Sequence, residues 1–147
     1  MNAYAYLSLV AIVANGVAGV CVLSRGPKLR LNRLVFAILM ALVVWASGEF
    51  IMRTADTAQA ALRGSRIAGL GWCLLGPVYF LFVLAYTEKE ELLANPLTYL
   101  VVFLPGAFFL VMLWTTDLIF QGFAPSYWAI RRSGGLFASP RSSMWRS

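Results

Sequence analysis

Few residues in this chain could do chemistry, and their spacing narrows what that chemistry could be. Glu49 is the one acid well inside an apolar run, and Arg53 follows it by four residues, the acid-then-base order that favours an ion pair along one helix face. A carboxylate at the centre of a membrane helix costs about 2.5 to 3.5 kcal/mol on insertion scales, so an acid in an apolar run is read as functional by default. Two readings stay open. Glu49 and Arg53 form an ion pair near the interface, where both side chains snorkel towards water, or Glu49 is a sensing or coupling carboxylate. Trp45, one turn earlier on the same face, would wall such a site or serve bundle packing. Asn15 falls near the middle of the first apolar run, where its amide is expected to find a partner across a helix interface, a bond averaging about 0.6 kcal/mol.

The exclusions are broad. The chain has no histidine, so it lacks a Ser-His-Asp or Cys-His nucleophile, a His-ligated zinc and a phospho-accepting histidine. Cys21 and Cys73 lie inside apolar runs without CxxC spacing, and are read as small packing residues with no metal or disulfide role. No cofactor is expected. The net charge of +6 comes from ten Arg and two Lys set almost wholly between or after the apolar runs. There they act as topology determinants and do not mark a nucleic-acid partner.

The elements that must position these residues are membrane helices. Of 147 residues, 61% are hydrophobic and 12% charged, against about 25% charged in a soluble domain. Crossing about 30 Å of hydrocarbon at about 1.5 Å per residue takes about 20 apolar residues, and four segments meet that length: 4–23, 34–52, 67–86 and 97–116. None alternates as a barrel strand would. The expected fold is an all-α membrane protein with four transmembrane helices over residues 1–130, joined by short polar connections at 24–33, 53–66 and 87–96. Residues 131–147 form an atypical Arg- and Ser-rich tail.

The uncharged start at Met1-Asn2-Ala3 argues for a retained first helix and against a cleaved signal. Arg25, Lys28, Arg30 and Arg33 place the first connection in the cytoplasm by the positive-inside rule and the N-terminus outside. Without the tail, these four and Lys89 stand inside against Arg53, Arg63 and Arg66 outside; counting the tail arginines reverses the preference. Gly16 and Gly19, with Ala14 and Ala18, give helix one a small-residue packing face. Tyr4, Tyr6, Tyr86, Tyr99 and Trp114 suit an aromatic belt. Gly76-Pro77 and Pro105-Gly106 interrupt helices three and four near their centres, as hinges or static kinks. Glu88, Lys89, Glu90 and Glu91 read as a solvated charge run.

From helix two onwards the chain resembles the N-terminal seven-helix membrane region of bacterial and archaeal sensor histidine kinases and related signalling proteins. The helix-three pattern of that family is a Pro, a Phe five residues on, then Tyr-Thr at the cytoplasmic end, matched here by Pro77, Phe82, Tyr86 and Thr87. Trp45 matches the helix-two Trp, Arg63 or Arg66 the Arg leading into helix three, and Pro105 the helix-four proline. Where the family often has Thr-Asn and a nearby His, this chain has Thr116-Asp117 and Gln121, and Asp117 joins the candidate sensing or coupling residues. The resemblance covers roughly residues 30 to 137. It implies the first half of a seven-helix bundle acting as an input module in a prokaryotic inner or plasma membrane.

The tail after Phe137, ASPRSSMWRS, loses that pattern and reads as an early stop or out-of-frame translation, so truncation is expected. The leading functional reading is therefore a non-catalytic sensory input fragment responding to an unknown small-molecule or membrane stimulus. Its partners would be the bilayer, other membrane helices or a second copy in a homodimer. Two alternatives stand beside it: a small accessory or assembly subunit, and a four-helix small-molecule exporter. Exporters of that size resemble it in helix number but place an essential Glu in helix one, where this chain has Asn15.

Overall fold

The computed structural model describes residues 3–115, which are mostly helical with no strand among them. The elements in chain order are α1 (Ala3–Arg25), α2 (Arg30–Thr54), α3 (Ala58–Tyr86), α4 (Glu90–Ala94) and α5 (Pro96–Thr115). Helices α1, α2, α3 and α5 are each long and apolar enough to cross a membrane. Alternating directions bring the start of α1, the end of α2, the start of α3 and the end of α5 to one side, here the Tyr4 end. The opposite side, the Tyr86 end, carries the α1–α2 turn and α4.

The helix boundaries depart from the hydropathy reading chiefly at α3, which begins at Ala58 and not at residue 67. Apolar length locates the bilayer crossing, whereas helix initiation is set by a cap. The Thr57 hydroxyl oxygen accepts the Ala60 amide at 3.2 Å, satisfying one of the orphan donors of the first turn. Ala and Leu carry the helix on from there. Most of the connection expected at 53–66 is thus helical. The connection expected at 87–96 also contains α4, which sequence periodicity did not show because one helical turn has no period to read.

The α1–α2 turn is held by local bonds. The Leu29 amide donates to the Gly26 carbonyl at 3.1 Å, the Asn32 amide to the same carbonyl at 3.2 Å, and Arg33 Nε to the Pro27 carbonyl at 3.0 Å. At the α3–α4 turn α3 closes in a Schellman arrangement, with Lys89 N–H donating to Leu84 O at 3.1 Å and Glu88 N–H to Ala85 O at 3.4 Å. Glu88 holds the left-handed conformation this closure needs, at φ 57°. Pro96 then opens α5 at a position where its missing N–H costs nothing, with Asn95 Oδ1 accepting the Leu97 amide at 2.9 Å.

Packing is closest between α2 and α3. A Cβ on Gly48 would collide with the Ala68 backbone, one on Gly64 would lie 2.6 Å from the Met52 nitrogen, and one on Gly71 would lie 2.7 Å from the Ala41 carbonyl oxygen and the Trp45 nitrogen. In lipid, where apolar burial drives no helix association, such close backbone approach is a main source of attraction. Helix α1 meets α2 at Gly19, which faces Met40 and Phe36. Its expected small-residue face is only partly used. Nothing lies within 4 Å of a Cβ on Gly16, and Ala14 and Ala18 are exposed. At the Tyr86 end, Leu81, Leu84 and Leu93 are buried together against Leu34, Ala85, Tyr99, Val102 and Phe103, joining α3, α4 and α5.

Candidate sensing site

Glu49 and Arg53 lie in the last two turns of α2 at the Tyr4 end. Arg53 donates to Glu49 Oε2 through Nη2 at 2.8 Å and through Nε at 3.0 Å. The side chains are 34% and 24% exposed for Arg53 and Glu49, so the pair is neither deeply buried nor fully solvated. Arg53 also lies 5.4 Å from the centre of the Tyr4 ring, a cation–π distance. One guanidinium therefore ties the start of α1 to the end of α2 while neutralising the intramembrane acid. Its planar fork suits both tasks.

Trp45, one turn deeper, faces α3. Its ring meets Trp72 edge-on at 5.1 Å between centroids, in the favoured geometry for such pairs. Gly71 makes room for this, since any side chain there would strike the Trp45 backbone and Cβ. Trp72 itself is largely exposed on the outer surface of the bundle.

Asn15 departs from expectation. Its amide donates to the Ala11 carbonyl at 2.7 Å in its own helix, not across an interface. A carbonyl one turn back is always within reach of a short polar side chain on a helix, and this local bond satisfies the group without a neighbour. Asp117 lies outside the described residues.

A contact not anticipated from sequence joins α3 to α5 at the same end. Arg66 lies 5.9 Å from the Trp114 ring centre, and Leu113 fills the space beside Gly69. The sequence placed Trp114 in an interfacial belt and Arg66 in a connection. Only the early start of α3 puts Arg66 on a helix facing α5.

The helix-three pattern occupies one continuous stretch of α3. Pro77 is buried in the helix interior. Phe82 lies 6.3 Å from Tyr79 and stacks on Tyr86 at 6.1 Å between ring centres. Thr87 is the helix C-cap, and its hydroxyl donates to Val83 O at 2.8 Å. Tyr86-Thr87 thus marks where α3 stops. Pro105 lies within α5 on an exposed face, and the neighbouring Gly106 packs against Cys73 and Pro77.

Arrangements of this kind, long apolar helices with charged groups confined towards their ends and prolines within them, define a multi-pass membrane bundle. The family described as the N-terminal 7TM region of histidine kinase matches residues 7–139, and the chain belongs to that family. The match begins in α1, earlier than the motifs alone reach. It runs to residue 139, into the tail of residues 131–147, which lies outside the described residues. No curated protein and no solved structure matches the chain.

Proposed function

We propose that this chain is the membrane-embedded input region of a signalling protein, without catalysis of its own, and that Glu49 with Trp45 forms its sensing or coupling site. The observation that carries the reading is the family match across α1 to α5, with Pro77, Phe82, Tyr86 and Thr87 in register on one helix. In this reading the first connection and the Tyr86 end are cytoplasmic, the N-terminus is outside, and the membrane is a prokaryotic inner or plasma membrane. Asn15 and Asp117 remain secondary candidates. The partners are lipid, further membrane helices or a second copy, and a small-molecule or membrane stimulus.

Changing Glu49 from a charged acceptor to a neutral amide would release Arg53 from its pair and alter what holds α1 to α2. The test uses the full-length chain carrying Trp114→Phe, Trp128→Phe and Trp145→Phe in lipid nanodiscs, titrated with a panel of lipophilic compounds, so that tryptophan fluorescence reports on Trp45 and Trp72 alone. A saturable response that Glu49→Gln removes or weakens supports the reading. Proton-driven dye efflux from liposomes that depends on Glu49 would replace it with an exporter. No saturable response, together with stoichiometric copurification of another membrane protein, would replace it with an accessory subunit.

A further inference from the structure

The two Pro-Gly positions inside α3 and α5 meet across the helix interface. Pro77 has no N–H, so the Cys73 carbonyl one turn earlier loses its helical donor. A Cβ on Gly106 would lie 2.8 Å from that carbonyl oxygen and 3.3 Å from Pro77 Cγ. In glycine that direction is occupied by a hydrogen, so α5 presents a Cα–H to the carbonyl that Pro77 has freed, a recurring contact between close helices. The depths agree as well. Pro77 lies about 14 Å from the Tyr86 end of α3, and Gly106 about 15 Å from the Pro96 end of α5, at about 1.5 Å per residue. Both breaks fall at one level and touch.

The contacts on either side of this level differ in kind. Towards the Tyr4 end, α3 is locked to α2 by backbone against backbone at Gly48 and Ala68, Gly64 and Met52, and Gly71 and Ala41. These cannot slide without separating the helices. Towards the Tyr86 end, α3, α4 and α5 are joined by the side-chain cluster of Leu81, Leu84, Leu93, Tyr99, Val102 and Phe103, which α2 enters through Leu34. Side chains can repack where backbones cannot.

We propose that Pro77 and Gly106 form one shared pivot, about which the Tyr86 halves of α3 and α5, with α4, tilt as a single body against the part of α3 anchored to α2. The pivot is a property of the bundle whatever the stimulus. Its test reads distances alone, so its failure and that of the sensory reading are separable.

The experiment uses the full chain with Cys21→Ala and Cys73→Ala, neither of which alters the Cys73 backbone carbonyl. Spin labels are placed in lipid nanodiscs at exposed Leu31 and Leu92, spanning the two bodies, and at Leu31 and exposed Trp72, both in the anchored body. Pulsed electron spin resonance should give a distance distribution for the first pair roughly twofold wider than for the second, as a hinge between bodies requires. Pro77→Ala, which restores the missing donor, should narrow the first distribution to the width of the second. Gly106→Ala should shift its mean and leave the second pair unchanged. A first pair as narrow as the second in the unsubstituted chain, or a width unmoved by Pro77→Ala, would overturn the pivot. If Gly106→Ala fails to insert, the Pro77→Ala comparison decides alone.

Discussion

Gly48 of α2 and Ala68 of α3 meet backbone to backbone, with no space between them for even one methyl group. Gly64 and Gly71 repeat the contact on either side, so three glycines set the separation of the two central helices. Gly48→Ala should push the helices apart and cost about 1 to 3 kcal/mol, the range for overpacking a close-packed site. Gly16→Ala and Gly76→Ala meet nothing within 4 Å. They should be neutral or stabilising by up to about 1 kcal/mol, because alanine favours the helix. Reversible unfolding in mixed detergent micelles, followed by circular dichroism, distinguishes the two classes. Equal losses at Gly48 and Gly16 would show that the close approach contributes nothing.

Asn15 invites a different expectation. Its amide bonds to Ala11 of the same helix, whose carbonyl the helical ladder already satisfies. Asn15→Leu should therefore change stability by less than about 0.6 kcal/mol, the mean for polar bonds between membrane helices, and leave the oligomeric state unaltered. A variant that dissociates an oligomer would place the amide in an interface after all.

Glu88 terminates α3 in the left-handed conformation at φ 57°, which costs a side-chain-bearing residue about 1 to 2 kcal/mol relative to the right-handed region. Glycine adopts it freely. Glu88→Gly is thus expected to stabilise the chain by about 1 kcal/mol, less the added freedom of the unfolded state, raising the midpoint in the same unfolding assay. A lowered midpoint would mean that the carboxylate makes a contribution beyond the turn.

The sequence made the four spans, the two proline breaks and the Glu49–Arg53 pair legible, because each rests on local spacing or on composition. The Glu49–Arg53 bond is an i,i+4 contact and needs no tertiary information. The contacts of Gly48, Gly64, Gly71 and Gly106 were not legible, since glycine carries no side chain whose pattern reports on a neighbour. Helix one shows the converse. Its Ala14 and Ala18 looked like a packing face, but small residues permit close approach without requiring it, and of Ala14, Gly16, Ala18 and Gly19 only Gly19 is buried against α2. Arg66 against Trp114 stayed hidden because a charged residue beside an apolar run reads as a loop, while a Thr57 cap can start a helix well before the run begins.

The proposed topology rests on the basic first turn. Arg25, Lys28, Arg30 and Arg33 are all exposed there, and under the positive-inside rule a cluster of this density favours a cytoplasmic connection. Single cysteines at Gly26 and Lys89, in a chain lacking Cys21 and Cys73, should resist a membrane-impermeant thiol reagent in intact cells and react after permeabilisation. A cysteine at Asp56 should react in both. Labelling of Gly26 from outside would invert the bundle and move Glu49 to the cytoplasmic half.

Arg53 makes two interactions at once, and a double-mutant cycle can separate them. Glu49→Gln removes a half-exposed i,i+4 ion pair and should cost only about 0.3 to 0.5 kcal/mol. Tyr4→Leu removes the ring beneath the guanidinium, for which about 0.5 to 1 kcal/mol is expected at a partly exposed site. Arg53→Gln loses both, so its cost should approach their sum, and Tyr4→Leu should add nothing once Arg53 is gone. The functional reading makes a further demand. If Glu49 serves sensing, Glu49→Gln must alter the stimulus-dependent fluorescence of Trp45 and Trp72 by more than its small stability cost explains, while Tyr4→Leu, at comparable or greater cost, leaves the response in place. Equal effects of the two substitutions on that response would reduce Glu49 to a clasp between α1 and α2.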